Sequence, residues 1–206
     1  MTRFIPALSF HFLTHWFDLC CTIVGLGKRY RRKIIQVLDI SQNEKHILDA
    51  GCGTGSLAIE LKKALPTINL HAIDADPEAL KIAHAKADST DIRFQQAFIQ
   101  ELPFPDNTLD VVYSSLVFHH LPRQTKMEAM KEINRVLKKK GRFLLVDFGK
   151  PKNMLGTIFS LMSLMLEEGK DNYQGLLPQM LKDAGFRKTV DKATYRLSIS
   201  FLEATK

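Results

Sequence analysis

Residues His46 to Leu61 read HILDAGCGTGSLAIEL. The apolar pair Ile47-Leu48 is too short for a helix and is followed at once by glycines at 51, 53 and 55. Leu57, Ile59 and Leu61, with Glu60 among them, then suit the start of a helix. A strand, a glycine turn and a helix bring backbone N–H groups and a helix N-terminus against a ligand. Glycine serves there because a Cβ would block tight turning or close approach of the backbone. The spacing separates two ligand classes. A dinucleotide fingerprint runs Gly-x-Gly-x-x-Gly. This turn instead runs Asp-x-Gly-x-Gly-x-Gly from Asp49, with Ser56 where the third dinucleotide glycine would stand.

A second short apolar stretch, Asn69 to Asp76 (NLHAIDAD), ends in acid, and Asp74 follows Gly53 by 21 residues. At that distance an acidic side chain at the tip of the second strand accepts hydrogen bonds from both ribose hydroxyls of an adenosine ligand. Asp76, with Pro77 at the first helical position and Glu78 behind it, is the better helix N-cap. Asp74 is then left free at the strand end.

Four segments, in this order, carry a family resemblance: LDAGCGTG at 48–55, IDADPEAL at 73–80, LPFPDNTLDVVYSSLVFHHLP at 102–122 and VLKKKGRFLLVDF at 136–148. Residues 46–148 resemble the core of the class I S-adenosylmethionine-dependent methyltransferases, and within them the UbiE-like small-molecule branch of ubiquinone/menaquinone biosynthesis. The resemblance implies a three-layer, doubly wound Rossmann-like α/β fold whose seven-stranded, mostly parallel sheet has an antiparallel last strand. It implies S-adenosyl-L-methionine as cofactor and S-adenosyl-L-homocysteine as product.

The 206 residues are read as one domain, large enough to bury a three-layer core. Its parts are an N-terminal helical cap (1–45), the cofactor core (46–150), a helical insertion (151–185) and closing strands (186–206). Hydrophobic content of 45% and charged content of 25% are ordinary globular values. The net charge of +7 gathers in KRYRRK at 28–33 and KKKGR at 138–142. Neither run is accompanied by stacking aromatics, which argues against a nucleic-acid substrate. Three cysteines, Cys20, Cys21 and Cys52, make no disulfide framework, so a reducing cytoplasmic setting is expected. No metal site is expected. His11, His15 and Asp18 have ligand spacing, but no further ligand accompanies them.

Residues 7–26 read as one or two helices with a narrow polar stripe of His11, His15, Asp18 and Thr22. Three readings stay open: a buried helix with a solvated stripe, a cover over the substrate cleft, and a peripheral membrane contact through residues 7–33. Arg29 to Asp39 is an amphipathic helix. Strands are expected near 46–50, 69–74, 91–97, 109–115 and 141–148, and helices near 55–64, 77–87 and 123–138. Alternation of this kind implies a parallel sheet. Met154 to Leu166 is almost wholly apolar, yet thirteen helical residues reach only about 20 Å, short of a bilayer core of about 30 Å. It is read either as a lid lined by Met154, Met162 and Met165 or as extra core. Tyr173 to Ala184 is a further helix closed by Gly185. Tyr195 to Phe201 alternates as one half-buried strand.

By resemblance, Gly51 and Gly53 lie under the methionine portion of the cofactor, with Cys52 between them. Asp49 sits near its ammonium group, Asp74 and Ala75 at the ribose, and Ser114 at the reactive end of the fourth strand. The family often has Gly-Asp-Ala where this chain has Ala97-Phe98-Ile99. Phe98 is left to pack on adenine and the Ile99 N–H to reach a ring nitrogen, without the carboxylate contact. His119 follows the fourth strand, where ligands gather in an open α/β sheet, and is the candidate base; capping of the next helix by His119 or His120 is the other reading. The acceptor is expected to be a small, lipophilic, quinol- or lipid-like molecule. The alternatives are a cofactor-binding scaffold without turnover and an arsenite-methylating enzyme, for which Cys20-Cys21 would be the only cysteine pair.

Overall fold

The computed structural model describes residues 25–88, 90–150, 169–196 and 198–206. The expected helices within 7–24 and 151–168 lie outside the described residues. The chain divides into two compact units, Met1–Phe98 and Ile99–Lys206. Among the described residues seven strands, β1 (His46–Ala50), β2 (Asn69–Asp74), β3 (Ile92–Gln96), β4 (Leu109–Ser115), β5 (Leu137–Phe148), β6 (Lys188–Tyr195) and β7 (Ile199–Thr205), form one sheet in the order β3-β2-β1-β4-β5-β7-β6, the doubly wound Rossmann-like arrangement.

In the first unit, helix α1 (Lys28–Leu38) buries Tyr30, Ile34 and Leu38, a stripe spaced by one turn and a little more. It packs on α2 (Ser56–Ala64), and Arg31 Nε pairs with Glu60 at 2.8 Å. Strands β1 (His46–Ala50), β2 (Asn69–Asp74) and β3 (Ile92–Gln96) run parallel, with Leu48 opposite His71 and Asp74 opposite Gln96. Between β2 and β3 comes α3 (Pro77–Lys86), whose N-cap Asp76 accepts the Glu78 N–H at 2.9 Å, as expected from the sequence.

In the second unit, β4 (Leu109–Ser115) and β5 (Leu137–Phe148) are parallel and almost fully apolar at their centres. They are joined by a 3-10 turn (Phe118–His120) and α4 (Arg123–Val136). The expected strand at 141–148 begins earlier, because Leu137 already pairs with Leu109. The lysines that follow bulge out, Lys140 in the left-handed region (φ 68°), before regular pairing resumes at Arg142. A Cβ on Gly141 would stand 2.8 Å from the Lys138 carbonyl, so the bulge requires glycine.

The helix expected over 173–184 is two pieces, α5 (Lys170–Tyr173) and α6 (Leu177–Asp183). Gly175 at φ 73° breaks it, while Gly185 at φ 97° ends the second piece as foreseen. The alternating tail is likewise not one strand. Arg196 turns at φ 51° between β6 (Lys188–Tyr195) and β7 (Ile199–Thr205), so Tyr195 pairs opposite Ile199 across a hairpin instead of preceding it on one face. Period-two patterning runs through a tight hairpin without a break, so it does not reveal the turn. Strand β7 is antiparallel to both β5 and β6, as the resemblance implied.

Candidate functional site

The glycine turn of the first unit is stitched to the end of β2. The N–H groups of Gly51 and Cys52 both donate to the Ile73 carbonyl at 2.9 Å, and that of Gly55 donates to Cys52 at 3.0 Å. All three glycines are left-handed, at φ 85°, 54° and 75° for Gly51, Gly53 and Gly55. Their reasons differ. A Cβ on Gly55 would stand 2.9 Å from Ala83 Cβ and 3.1 Å from Phe94, so that glycine lets α2 and α3 close on β3. A Cβ on Gly53 would meet nothing within 4 Å, so Gly53 exposes bare backbone to open space, the cradle a ligand needs.

Asp74 is not free, contrary to the expectation. Its Oδ2 accepts the Gly53 N–H at 2.7 Å and its Oδ1 accepts the Asp76 N–H at 2.9 Å. A carboxylate at a strand end answers the nearest orphan donors, and so it holds the glycine turn. Burial pushes its carboxyl up, against the opposing backbone bonds from Asp76 and Gly53. The Ala75 carbonyl accepts from Gln96 Nε2 at 3.1 Å, and the Asp74 carbonyl accepts the Ala97 N–H at 3.1 Å. Phe98, just beyond, is 37% exposed, an aromatic face open to stacking. Asp49 is buried at the end of β1. Burial, then Asp49 and Asp74, push the Cys52 thiol well up, so it stays protonated and is no nucleophile. Asp49, Gly51, Cys52, Gly53, Asp74, Ala75 and Phe98 all belong to this unit. Bare backbone, a strand-end carboxylate and an exposed ring fit an adenosine-bearing cofactor.

The second unit holds Ile99, Ser114 and His119. Ile99 and Ser114 are buried, Ser114 completely. Arg135 and Glu132 of α4 clip the loop after Ile99: Glu132 accepts the Leu102 N–H at 3.0 Å, and Arg135 Nη2 donates to the Phe104 carbonyl at 2.9 Å. Beyond β4 the chain turns sharply at Leu116, a bulky residue at φ 58°, whose N–H bonds the Val146 carbonyl at 2.9 Å. Strained backbone of this kind gathers at functional sites. The turn leads into the 3-10 turn, so neither His119 nor His120 caps α4; Pro122 stands at its N-cap.

His119 is buried and its Nδ1 lies 2.8 Å from Asp147 Oδ1, while its own N–H reaches Oδ2 at 3.3 Å. With Nδ1 turned to the carboxylate, Nε2 is the ring nitrogen left for another partner. Burial would raise the Asp147 carboxyl, but the His119 charge and hydrogen bond and the Phe148 N–H outweigh it and hold the group below the usual range. The His120 ring stacks 3.9 Å from that of His119. Burial, then repulsion from His119, push His120 down to about 4 against the pull of Asp147. The sequence reading missed Asp147. The available signal was an acidic residue within the apolar run of a central strand, where a charge persists only with a partner.

Residues 47–141 match the model of a methyltransferase domain family. The chain is 31% identical over 149 residues to a demethylmenaquinone methyltransferase of Deinococcus radiodurans, covering 70% of this chain and 61% of that protein. It therefore spans about three fifths of that relative's length. It is 30% identical over 201 residues to the ubiquinone/menaquinone biosynthesis C-methyltransferase UbiE of Rickettsia rickettsii, covering 84% of this chain and 80% of the relative. In fold it matches human N-acetylserotonin methyltransferase, solved in complex with SAM, at a TM-score of 0.76 and 21% identity, over 95% of this chain and 55% of that one. Fold and glycine turn together define an S-adenosylmethionine-dependent methyltransferase class. The chain belongs to the UbiE-like branch of that family, whose cofactor is S-adenosylmethionine.

Proposed function

We propose that this protein transfers a methyl group to a small lipophilic acceptor of the quinol type, with His119 taking the acceptor's proton. The observation that carries the reading is the buried His119–Asp147 pair at 2.8 Å. The quinol class rests on the names of the relatives, and the C-methyltransferase among them supports carbon as the acceptor atom. Bound S-adenosylmethionine supplies a methyl group already activated by a positively charged sulfur. The chain's task is then to bind, align and keep water out. Asp74 takes the ribose hydroxyls, the Gly51–Gly53 backbone supports the methionine portion near Asp49, and Phe98 stacks on adenine beside the Ile99 N–H. Ser114 closes the strand end. His119 Nε2 accepts the proton that the acceptor hydroxyl or carbon releases as its bond to the methyl forms, and Asp147 stabilises the resulting imidazolium.

The test is two-stage. Calorimetry with S-adenosylhomocysteine measures cofactor binding, and absence of binding at micromolar concentration sinks the proposal. Incubation with labelled cofactor and a lipid extract then asks whether label enters an organic-soluble product; binding without transfer favours a scaffold.

The same reading places the protein in the cytoplasm with a peripheral membrane contact through residues 7–33. Exposed Lys28, Arg29 and Arg32 on α1 support it, and no described helix is long and apolar enough to cross a membrane. Co-flotation with anionic liposomes that salt abolishes is the expected result; protein left at the bottom of the gradient refutes it.

A further inference from the structure

We infer that Asn172 is a positioning residue for the His119–Asp147 pair, acting through Phe148; this rests on the reading of His119 as the base. Asn172 lies on the four-residue helix α5 and is completely buried. Its Nδ2 donates to the Phe148 carbonyl at 3.1 Å. Phe148 in turn touches both members of the pair. Its N–H donates to Asp147 Oδ1 at 2.7 Å, and its ring meets the His119 ring edge-on at 4.8 Å. This side-chain hydrogen bond adds to the pairing of Phe148 with Ile199 on β7, and together they hold the residue that contacts both the carboxylate and the imidazole.

The other half of the amide makes the case. Among the described residues, Asn172 Oδ1 is buried with no hydrogen-bond partner. A buried orphan carbonyl is destabilising, and leucine would fill a similar volume without it. What asparagine alone adds at this position is the bond to Phe148. Where a local rule is broken in this way, a functional or strained site is expected.

Asn172 also has a firm base. The Asp171 carboxylate lies 3.6 Å from both Lys126 Nζ and Arg123 Nη1, which ties α5 to α4. The described elements packed against the 3-10 turn are β5 and α5: β5 carries Asp147 beside the turn and Lys138, Lys139, Lys140 and Arg142 nearer its start, α5 carries Lys170, Asp171 and Tyr173, and His120 lies on the turn itself.

The test compares the full-length wild-type protein with Asn172→Leu in complex with S-adenosylhomocysteine, by nitrogen-resolved NMR of the histidine rings. The wild type is expected to hold His119 as the Nδ1–H tautomer. The variant is expected to lose that single state while its melting temperature stays level or rises. Cofactor affinity stays within about twofold, and transfer to a prenylated 1,4-naphthohydroquinone falls about tenfold with a displaced acid limb of the pH–rate profile. Asn172→Asp, which keeps the shape but turns the donor into an acceptor, is measured alongside. Histidine signals and a pH profile equal to wild type, or variants that simply fail to fold, overturn the inference and leave the methyltransferase reading standing. Wild-type protein that does not bind S-adenosylhomocysteine overturns that reading instead.

Discussion

Asp74 clamps the glycine turn and is proposed to take the ribose as well, and a single substitution separates this chain's behaviour from that of a plain ribose contact. In Asp74→Asn an NH2 group must face either the Gly53 or the Asp76 N–H, donor against donor. The variant is expected to loosen the glycine turn and to lose about tenfold to a hundredfold in affinity for S-adenosylhomocysteine, the range of a hydrogen bond to a charged group. Calorimetry reads it, and an unchanged dissociation constant would show the carboxylate to be dispensable. At the other candidate residue, Asp147→Asn removes the group that selects the His119 tautomer. Transfer is expected to fall about 10²- to 10⁴-fold with cofactor affinity intact; a drop in affinity alone would speak against a base. His120 gives a pH dependence. Its folded value of about 4 lies below histidine's ordinary 6.5, so the unfolded chain binds more protons between the two. Stability is therefore expected to fall as pH drops through that window, by up to about 3 kcal/mol. Asp147, also held low, adds a further loss as pH falls through its folded value. Urea midpoints across the range, repeated in His120→Gln, test the assignment: the slope should shrink in the variant.

At the scale of the element, the glycine turn predicts two different failures. Gly55→Ala puts a Cβ 2.9 Å from Ala83 in a left-handed conformation, so it destabilises the α2–α3 packing and lowers the melting temperature. Gly53→Ala meets open space, so it costs only the backbone strain, about 1–2 kcal/mol. If the proposed cofactor lies over this turn, the added methyl stands between it and the bare backbone. The expected pattern is a large loss of stability with Gly55→Ala and a loss of cofactor affinity out of proportion to stability with Gly53→Ala. Equal effects on both quantities would mean that the turn is only a fold element. The same scale explains why the N-cap was readable from sequence. Asp76-Pro77-Glu78 is a local signal, complete within three residues.

At the scale of the whole molecule, a ligand that binds only the folded chain shifts its melting. S-adenosylhomocysteine at a hundred times its dissociation constant is expected to add about 2.7 kcal/mol, or roughly 5–11 °C for a chain of this size. No shift at that concentration would contradict the cofactor assignment. Strand positions at 46–50, 69–74 and 109–115, the glycine turn and the Asp76 cap were legible from the sequence alone. Each depends on residues a few positions apart, whose periodicity and turn chemistry act locally. The hairpin at Arg196, the break at Gly175 and the bulge ahead of Arg142 were not, because alternation and helical spacing continue across a turn that only pairing partners reveal. So it is with the site. Asp74 and His119 were visible as residue types at suitable places. That Asp74 clamps the glycine turn, and that Asp147, 28 residues from His119, holds its ring, was decided in tertiary structure. A side chain's hydrogen-bond partner is whichever unsatisfied group folding brings within reach, and nothing in the order of residues records that distance.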